Sequence, residues 1–326
     1  MATYKEIFGT NIEVLASDPS NPVEGQVWYN STDNVVKGAA ATTVGSWSSG
    51  GSMNTGRFAL GGAGASSSSG LAFGGRPYTA ATEKYNGSSW TEVNDLNTAR
   101  GQLGGSGTQT SALAFGGETP PATAATESYN GTSWTSVADL NSVRSIAQGA
   151  GADNTAALAF GGSPLPVTGA LTEKWNGTSW TEVADLNTAR YGMGCAGISI
   201  AALAAGGDVS TPGAGTAATE QWNDTSWTAV ADLNTARFDM GNAGLYTSAL
   251  VFGGFSPAIS DTGNTEEFNG TSWTEVANIS ARRSLAGAGT QTSALAFAGL
   301  TGPTTVTTTQ EWLGAGAPLT VTFTDS

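Results

Sequence analysis

The chain has 326 residues, 46 of them Gly, with 39% apolar and only 12% charged, a mixture that disfavours long helices. Its 10 Trp, 11 Phe and 7 Tyr exclude a disordered tract, because each aromatic buries roughly 150–250 Å². The absence of His and the single Cys exclude Ser/His/Asp triads, imidazole-ligated metals and disulfides, so no cofactor or metal is expected. A net charge of −14 repels phosphate backbones and anionic lipid, so neither nucleic acid nor membrane insertion is expected.

Residues 1-40 stand apart from the rest of the chain. Lys5, Glu6 and Glu13 fall where a signal peptide needs an apolar run, and no window approaches ~18 consecutive apolar residues, so the chain reads as soluble and unprocessed. After a Pro-bearing linker from Ser17 to Val23, the runs Gly25–Tyr29 and Val35–Gly38, joined by residues 30–34, read as a small hairpin.

From residue 41 the chain repeats about every 45 residues. A Ser-Trp element ends at Trp47, Trp90, Trp134, Trp180, Trp227 and Trp273, and an Arg follows each by ten: Arg57, Arg100, Arg144, Arg190, Arg237 and Arg283. A Gly-rich stretch and a small apolar run then close on a diglycine at 74-75, 116-117, 161-162, 206-207 and 253-254, with Ala298-Gly299 sixth. After a loop comes Thr-Glu-x-aromatic, at Glu83, Glu127, Glu173, Glu220 and Glu266, with Gln310 last. Each unit reads as four strands of one antiparallel sheet, the blade of a β-propeller. Asn-Gly at 86-87, 130-131, 176-177 and 269-270 predicts a two-residue type I′ hairpin between the third and fourth strands, with Asn223-Asp224 the departure. Gly and Ala in the first two strands suit positions crowded around an axis.

The last repeat runs out after Trp312 without its Ser-Trp strand, whereas residues 42-48 carry that strand without the three that should precede it. The expectation is an all-β, six-bladed propeller over residues 41-312, closed by the N-terminal strand completing the last blade, which removes two open edges. Burial of Trp47 at the join is expected to contribute about 3–5 kcal/mol.

The diglycine, the aromatic some ten residues later and the Trp five beyond it make residues 42-312 resemble the kelch family. Asp18-Pro19-x-Asn21-Pro22-x-x-Gly25-Gln26-x-Trp28-Tyr29-Asn30, running on to Lys37-Gly38, is similar to a short module of tail-fibre and other virion proteins of marine bacteriophages. Residues 1-40 then serve as an attachment arm or as a plain capping hairpin. Residues 313-326 hold an alternating run, Leu319 to Thr324, that could dock on the virion, on a neighbouring subunit or on blade six.

Loop lengths point to a recognition face. The stretch between diglycine and Thr-Glu ranges from 6 to 11 residues and carries the non-repeated large or polar side chains Arg76, Tyr78, Glu118, Leu165, Asp208, Phe255 and Asp261. Neutral drift in tolerant loops is the alternative. The repeated Arg and Glu read as structural, fixing contacts between blades, and Asp95, Asp139, Asp185 and Asp232 read as inter-blade turn residues. Asn-x-Ser/Thr at Asn86, Asn130, Asn176, Asn223 and Asn269 coincides with the hairpins, so turn chemistry explains it. Asp261 to Asn264 reads as a turn and Cys195 as a buried filler.

The two resemblances imply a non-enzymatic virion structural protein of a bacteriophage, a tail fibre or tail-associated component assembled in the host cytoplasm and extracellular in the particle. Its expected partners are other tail proteins and a host surface glycan or receptor, with oligomerisation through virion assembly. The alternative is a bacterial surface or secreted lectin-like propeller. Glycosidase chemistry would need two non-repeated acids facing each other, and the loops offer only Glu118, Asp208 and Asp261.

Overall fold

The computed structural model describes residues 12–19, 25–41, 44–209, 213–315 and 318–323; Lys5, Glu6, Asn21, Pro22, Thr42, Thr43 and Thr324 of the sequence reading lie outside them. No α-helix occurs among the described residues. The chain divides into two compact units, Ser46–Leu313 and a smaller one built from both ends.

In the smaller unit, Glu13–Leu15 runs parallel to Val27–Asn30, which pairs antiparallel with Val35–Ala41, itself paired with Pro318–Phe323. The hairpin thus forms where the sequence placed it. The C-terminal strand joins it rather than blade six, because an alternating run specifies an edge strand but not its partner. Gly38 makes room: a Cβ there would stand 2.8 Å from the Phe323 ring. Asp18 ties the hairpin together, accepting from Trp28 Nε1 at 3.1 Å, Asn30 Nδ2 at 2.7 Å and Lys37 Nζ at 2.8 Å. Those hydrogen bonds, led by the one from Lys37, hold its carboxyl at about 2. The motif residues Asp18, Trp28, Asn30 and Lys37 are therefore one polar knot around a fully buried indole.

Ser46–Leu313 holds, among the described residues, six four-stranded antiparallel sheets. Sheet one runs Gly61–Ser66, Ser69–Phe73, Thr82–Tyr85, Trp90–Val93, and sheets two to five repeat it through strands that begin at Gly104, Gln148, Gly194 and Gly241. Sheet six takes Ala286–Gly289, Ser293–Phe297 and Thr309–Leu313 from one end and Ser46–Ser49 from the other, with Trp312 opposite Trp47. The first strand of each sheet lies against that of the next, and that of sheet six against that of sheet one. This is the packing of a β-propeller.

Neighbouring sheets are joined by the outer Trp. Its indole N–H donates to the Thr hydroxyl that opens the third strand of the preceding sheet: Trp90 to Thr309, Trp134 to Thr82, Trp180 to Thr126, Trp227 to Thr172 and Trp47 to Thr265. The same rings pack on Phe297, Phe73, Phe115, Phe160 and Phe252, with centroids 4.9–5.3 Å apart. Trp273, facing Ala205 in sheet four, donates instead to the Ala231 carbonyl. Glycines in the inner strands are crowded as expected: a Cβ at Gly61 would lie 2.2 Å from Phe73.

Three sequence expectations are corrected. The Asn-Gly hairpins have four-residue loops, with Tyr85 opposite Trp90. Asn86 caps the turn by accepting from the N–H groups of Ser88 and Ser89, so only Gly87 needs positive φ. In sheet four Asp224 adopts that conformation at φ 72°. The sixth repeated Arg is Arg282, not Arg283, because the link after Trp273 is one residue shorter; Arg282 is buried like its counterparts. Finally, the Arg and Glu pair within a sheet rather than between sheets. Arg144 Nη2 meets Glu173 Oε1 at 2.9 Å, while Oε2 accepts from the backbone and side-chain N–H of Asn141 in the preceding link. The same arrangement recurs at Glu83, Glu127, Glu220 and Glu266. Asp95 likewise closes its own sheet by accepting from Thr82 N.

Candidate binding face

The repeat itself builds the face. Each buried Arg is followed by a residue that bridges to the first loop residue after the diglycine: Phe58 with Arg76, Gly101 with Glu118, Ser145 with Ser163, Tyr191 with Asp208, Phe238 with Phe255 and Arg283 with Leu300. Four of the sequence-predicted residues, Arg76, Glu118, Asp208 and Phe255, therefore share one column of the repeat. They form a rim whose chemistry changes from sheet to sheet.

Contacts along the rim are local. The Arg76 guanidinium pairs with Glu118 and lies 5.4 Å over the Tyr78 ring, and Tyr78 Oη donates to Glu118 at 3.1 Å. Tyr191 Oη donates to Asp208 Oδ2 at 2.9 Å; burial, aided by that bond, pushes the phenol up to about 12. Phe255 packs on Phe238 and under Arg283, which pairs with Asp261. Asp261 sits in a two-residue strand, Ser260–Asp261, rather than a plain turn. Leu165 does not join the rim: it folds onto its own loop, where a Cβ on Gly169 would lie 2.1 Å away.

Inside the rim lies an axial cavity of about 260 Å³. Arg76 alone of the predicted residues lines it. Its mouth is a collar of six residues, one per sheet and two after each buried Arg: Ala59, Gln102, Ile146, Gly192, Asp239 and Ser284. All six have left-handed φ, from 49° to 63°. Their backbones chain together, Gln102 N–H to Ala59 O, Ile146 to Gln102, Asp239 to Gly192, Ser284 to Asp239 and Ala59 to Ser284, at 2.7–2.8 Å. Deeper, Gln148, Cys195 and Asn242 replace glycines of the other sheets. Burial pushes the Cys195 thiol up to about 12, so it lines the wall without being a nucleophile.

The sequence reading missed Asp239, Gln102, Ser284 and the rim role of Arg283. A signal was present: the second residue after the buried Arg differs in every sheet, and the first differs in all but Phe58 and Phe238, while their neighbours repeat. The one-residue slip at Arg282-Arg283 hid it.

No family model matches this chain, and no curated protein does. Of 346 matching chains of solved structure, one titled "Structure of YjhT", a kelch-like β-propeller, has 12% sequence identity and a TM-score of 0.66 over 79% of this chain and 95% of that one. At that identity the likeness shows the fold.

Proposed function

We propose that this chain is a non-enzymatic binding propeller of a bacteriophage virion, a tail-fibre or tail-associated component that presents its rim and axial cavity to a host surface or a neighbouring virion protein. We infer that Ser46–Leu313 is a six-bladed kelch-type ring, closed where Ser46–Ser49 completes the sheet of Thr309–Leu313. The observation that carries the binding reading is the concentration of non-repeated side chains in the rim and collar of one face, on a frame otherwise repeated. The virion assignment rests on the resemblance of the module around Asp18, Trp28, Asn30 and Lys37 to phage proteins; in this chain those four residues form one hydrogen-bonded knot.

Mass spectrometry of purified particles tests the virion assignment, which fails if the chain is absent from them. A rim variant, Phe255→Ala with Tyr78→Ala, tests the binding face through adsorption of the isolated protein to host cells. Unchanged adsorption would overturn the choice of face. Removal of residues 1-50 tests closure: the expected outcome is aggregation and an earlier melt, and a monomer with an unaltered melt would reject it.

A further inference from the structure

We propose that the axial cavity is a receptor for a primary ammonium group, held by the Asp239 carboxylate. This rests on the reading of the rim face as a binding surface and names the chemistry it selects.

Three observations carry it. The collar concentrates backbone strain: five non-glycine residues, the β-branched Ile146 among them, sit in a left-handed conformation. That conformation is strained for an L-residue and persists where structure over-determines it, as at active sites, ligand clamps and switch regions. Second, Asp239 and Arg76 are the charged side chains lining the cavity, and Arg76 is engaged by Glu118. Arg283, the other cation near Asp239, is engaged by Asp261 and the Gly302 carbonyl. Asp239 forms no ion pair among the described residues; its carboxylate accepts a hydrogen bond from Ser284 Oγ at 2.9 Å. Third, the carboxyl has been given room. A Cβ on the collar residue Gly192 would lie 2.7 Å from Asp239 Oδ1, so a larger residue there would push this oxygen from its place.

A carboxyl partly withdrawn from bulk water without a counterion carries a cost that a cationic ligand offsets. Burial indeed pushes the Asp239 carboxyl upward, with Asp208 adding to the shift and Ser284 and Arg283 opposing it. An ammonium carries three donors. Asp239 accepts one, and Gln102, Gln148 and Asn242, which line the same cavity, carry amide oxygens to take the rest, that of Gln148 already accepting from Cys195 Sγ at 3.7 Å. The net charge of −14 draws cations toward the molecule and repels anions.

Isothermal titration of the whole protein with n-butylammonium, and with a capped lysine peptide beside its Nε-acetylated form, tests the assignment. The expected result is binding of the amine or the unacetylated peptide, weakened at least about 10-fold by Asp239→Asn and by Gly192→Ala, and unchanged by Glu92→Gln on the exposed outer strand. Binding of the amine identifies a free small molecule as the source; binding of the peptide alone identifies a protein lysine. No binding of either, equal binding of the acetylated peptide, or full affinity in a folded Asp239→Asn protein would overturn it. Host-cell adsorption that survives such a result leaves the binding-face reading standing, so the two failures are distinguishable.

Discussion

Sheet six and the other five are built to one pattern with different materials. In sheets one to five a buried Arg meets a buried Glu, the outer Trp is 5–6% exposed, and the first residue after the second strand is Gly. In sheet six Arg282 has Gln310 instead of an acid, Trp47 is only half-buried, and Ala298 takes the left-handed position at φ 62°. Arg282 is held by the carbonyls of Thr308 and Ala296, and burial alone pushes it down to about 10. The sheet that unites the two ends of the propeller unit thus lacks three stabilising features of its siblings. Regularity of backbone does not require regularity of energy.

The outer Trp gives the largest test of that contrast. Trp134→Ala removes a buried ring packed against Phe73 and Tyr129 and should cost about 4 kcal/mol in urea unfolding. Trp47→Ala, at a half-buried site, should cost about 2 kcal/mol, less than the burial of this residue implied from sequence. Equal losses would erase the difference between the sheets. Next in size, Glu173→Gln gives sheet three the polar arrangement of sheet six and strands Arg144. Loss of one partner of a buried pair predicts a cost of about 3 kcal/mol with an unchanged m-value. A cost below about 1 kcal/mol would mean that the pairs do not distinguish the sheets.

The fold was legible because each device that builds it repeats. A Trp that must pack against the neighbouring sheet leaves six copies of itself, Asn-Gly turns leave four, and inner glycines recur in every sheet. Arg282 shows the limit: a one-residue deletion is absorbed in a link, so counting from Trp273 selects Arg283, and only burial reveals which guanidinium lies inside. The C-terminal strand shows another limit, since Leu319 to Phe323 has the right alternation for any edge and the choice of Val35–Ala41 depends on a missing Cβ at Gly38. Of the rim, loop variation located Arg76, Glu118, Asp208 and Phe255. The collar stayed hidden because its residues occupy a column of the repeat rather than a variable-length loop, and because left-handed φ at Gln102 or Ile146 has no sequence mark.

Gln310→Glu makes the reverse exchange in sheet six and should stabilise the protein by about 1–2 kcal/mol. Ordinarily a new buried ion pair is a poor investment, because two charges must leave water. Here Arg282 is already buried and only the acid must be desolvated. The Ser280 N–H, which donates to Gln310 Oε1 at 3.2 Å, is in place to receive the carboxylate as the Asn N–H groups do elsewhere. A lower melting temperature would show that sheet six differs in shape as well as in charge.

The smallest effect isolates backbone strain. At the position of Ala298 the other five sheets have Gly74, Gly116, Gly161, Gly206 and Gly253, all with φ between 60° and 65°. Relief of the left-handed strain favours Ala298→Gly by roughly 1–2 kcal/mol, and the added freedom of the unfolded chain opposes it by roughly 0.4–1 kcal/mol. The expected balance is a gain of about 0.5 kcal/mol, read as a small rise in the urea midpoint at constant slope. Ala298 is fully buried in the cluster with Leu60, Trp90 and Phe297. A loss of stability would therefore assign the methyl a packing role that outweighs its strain, making the substitution in sheet six a compensation rather than a defect.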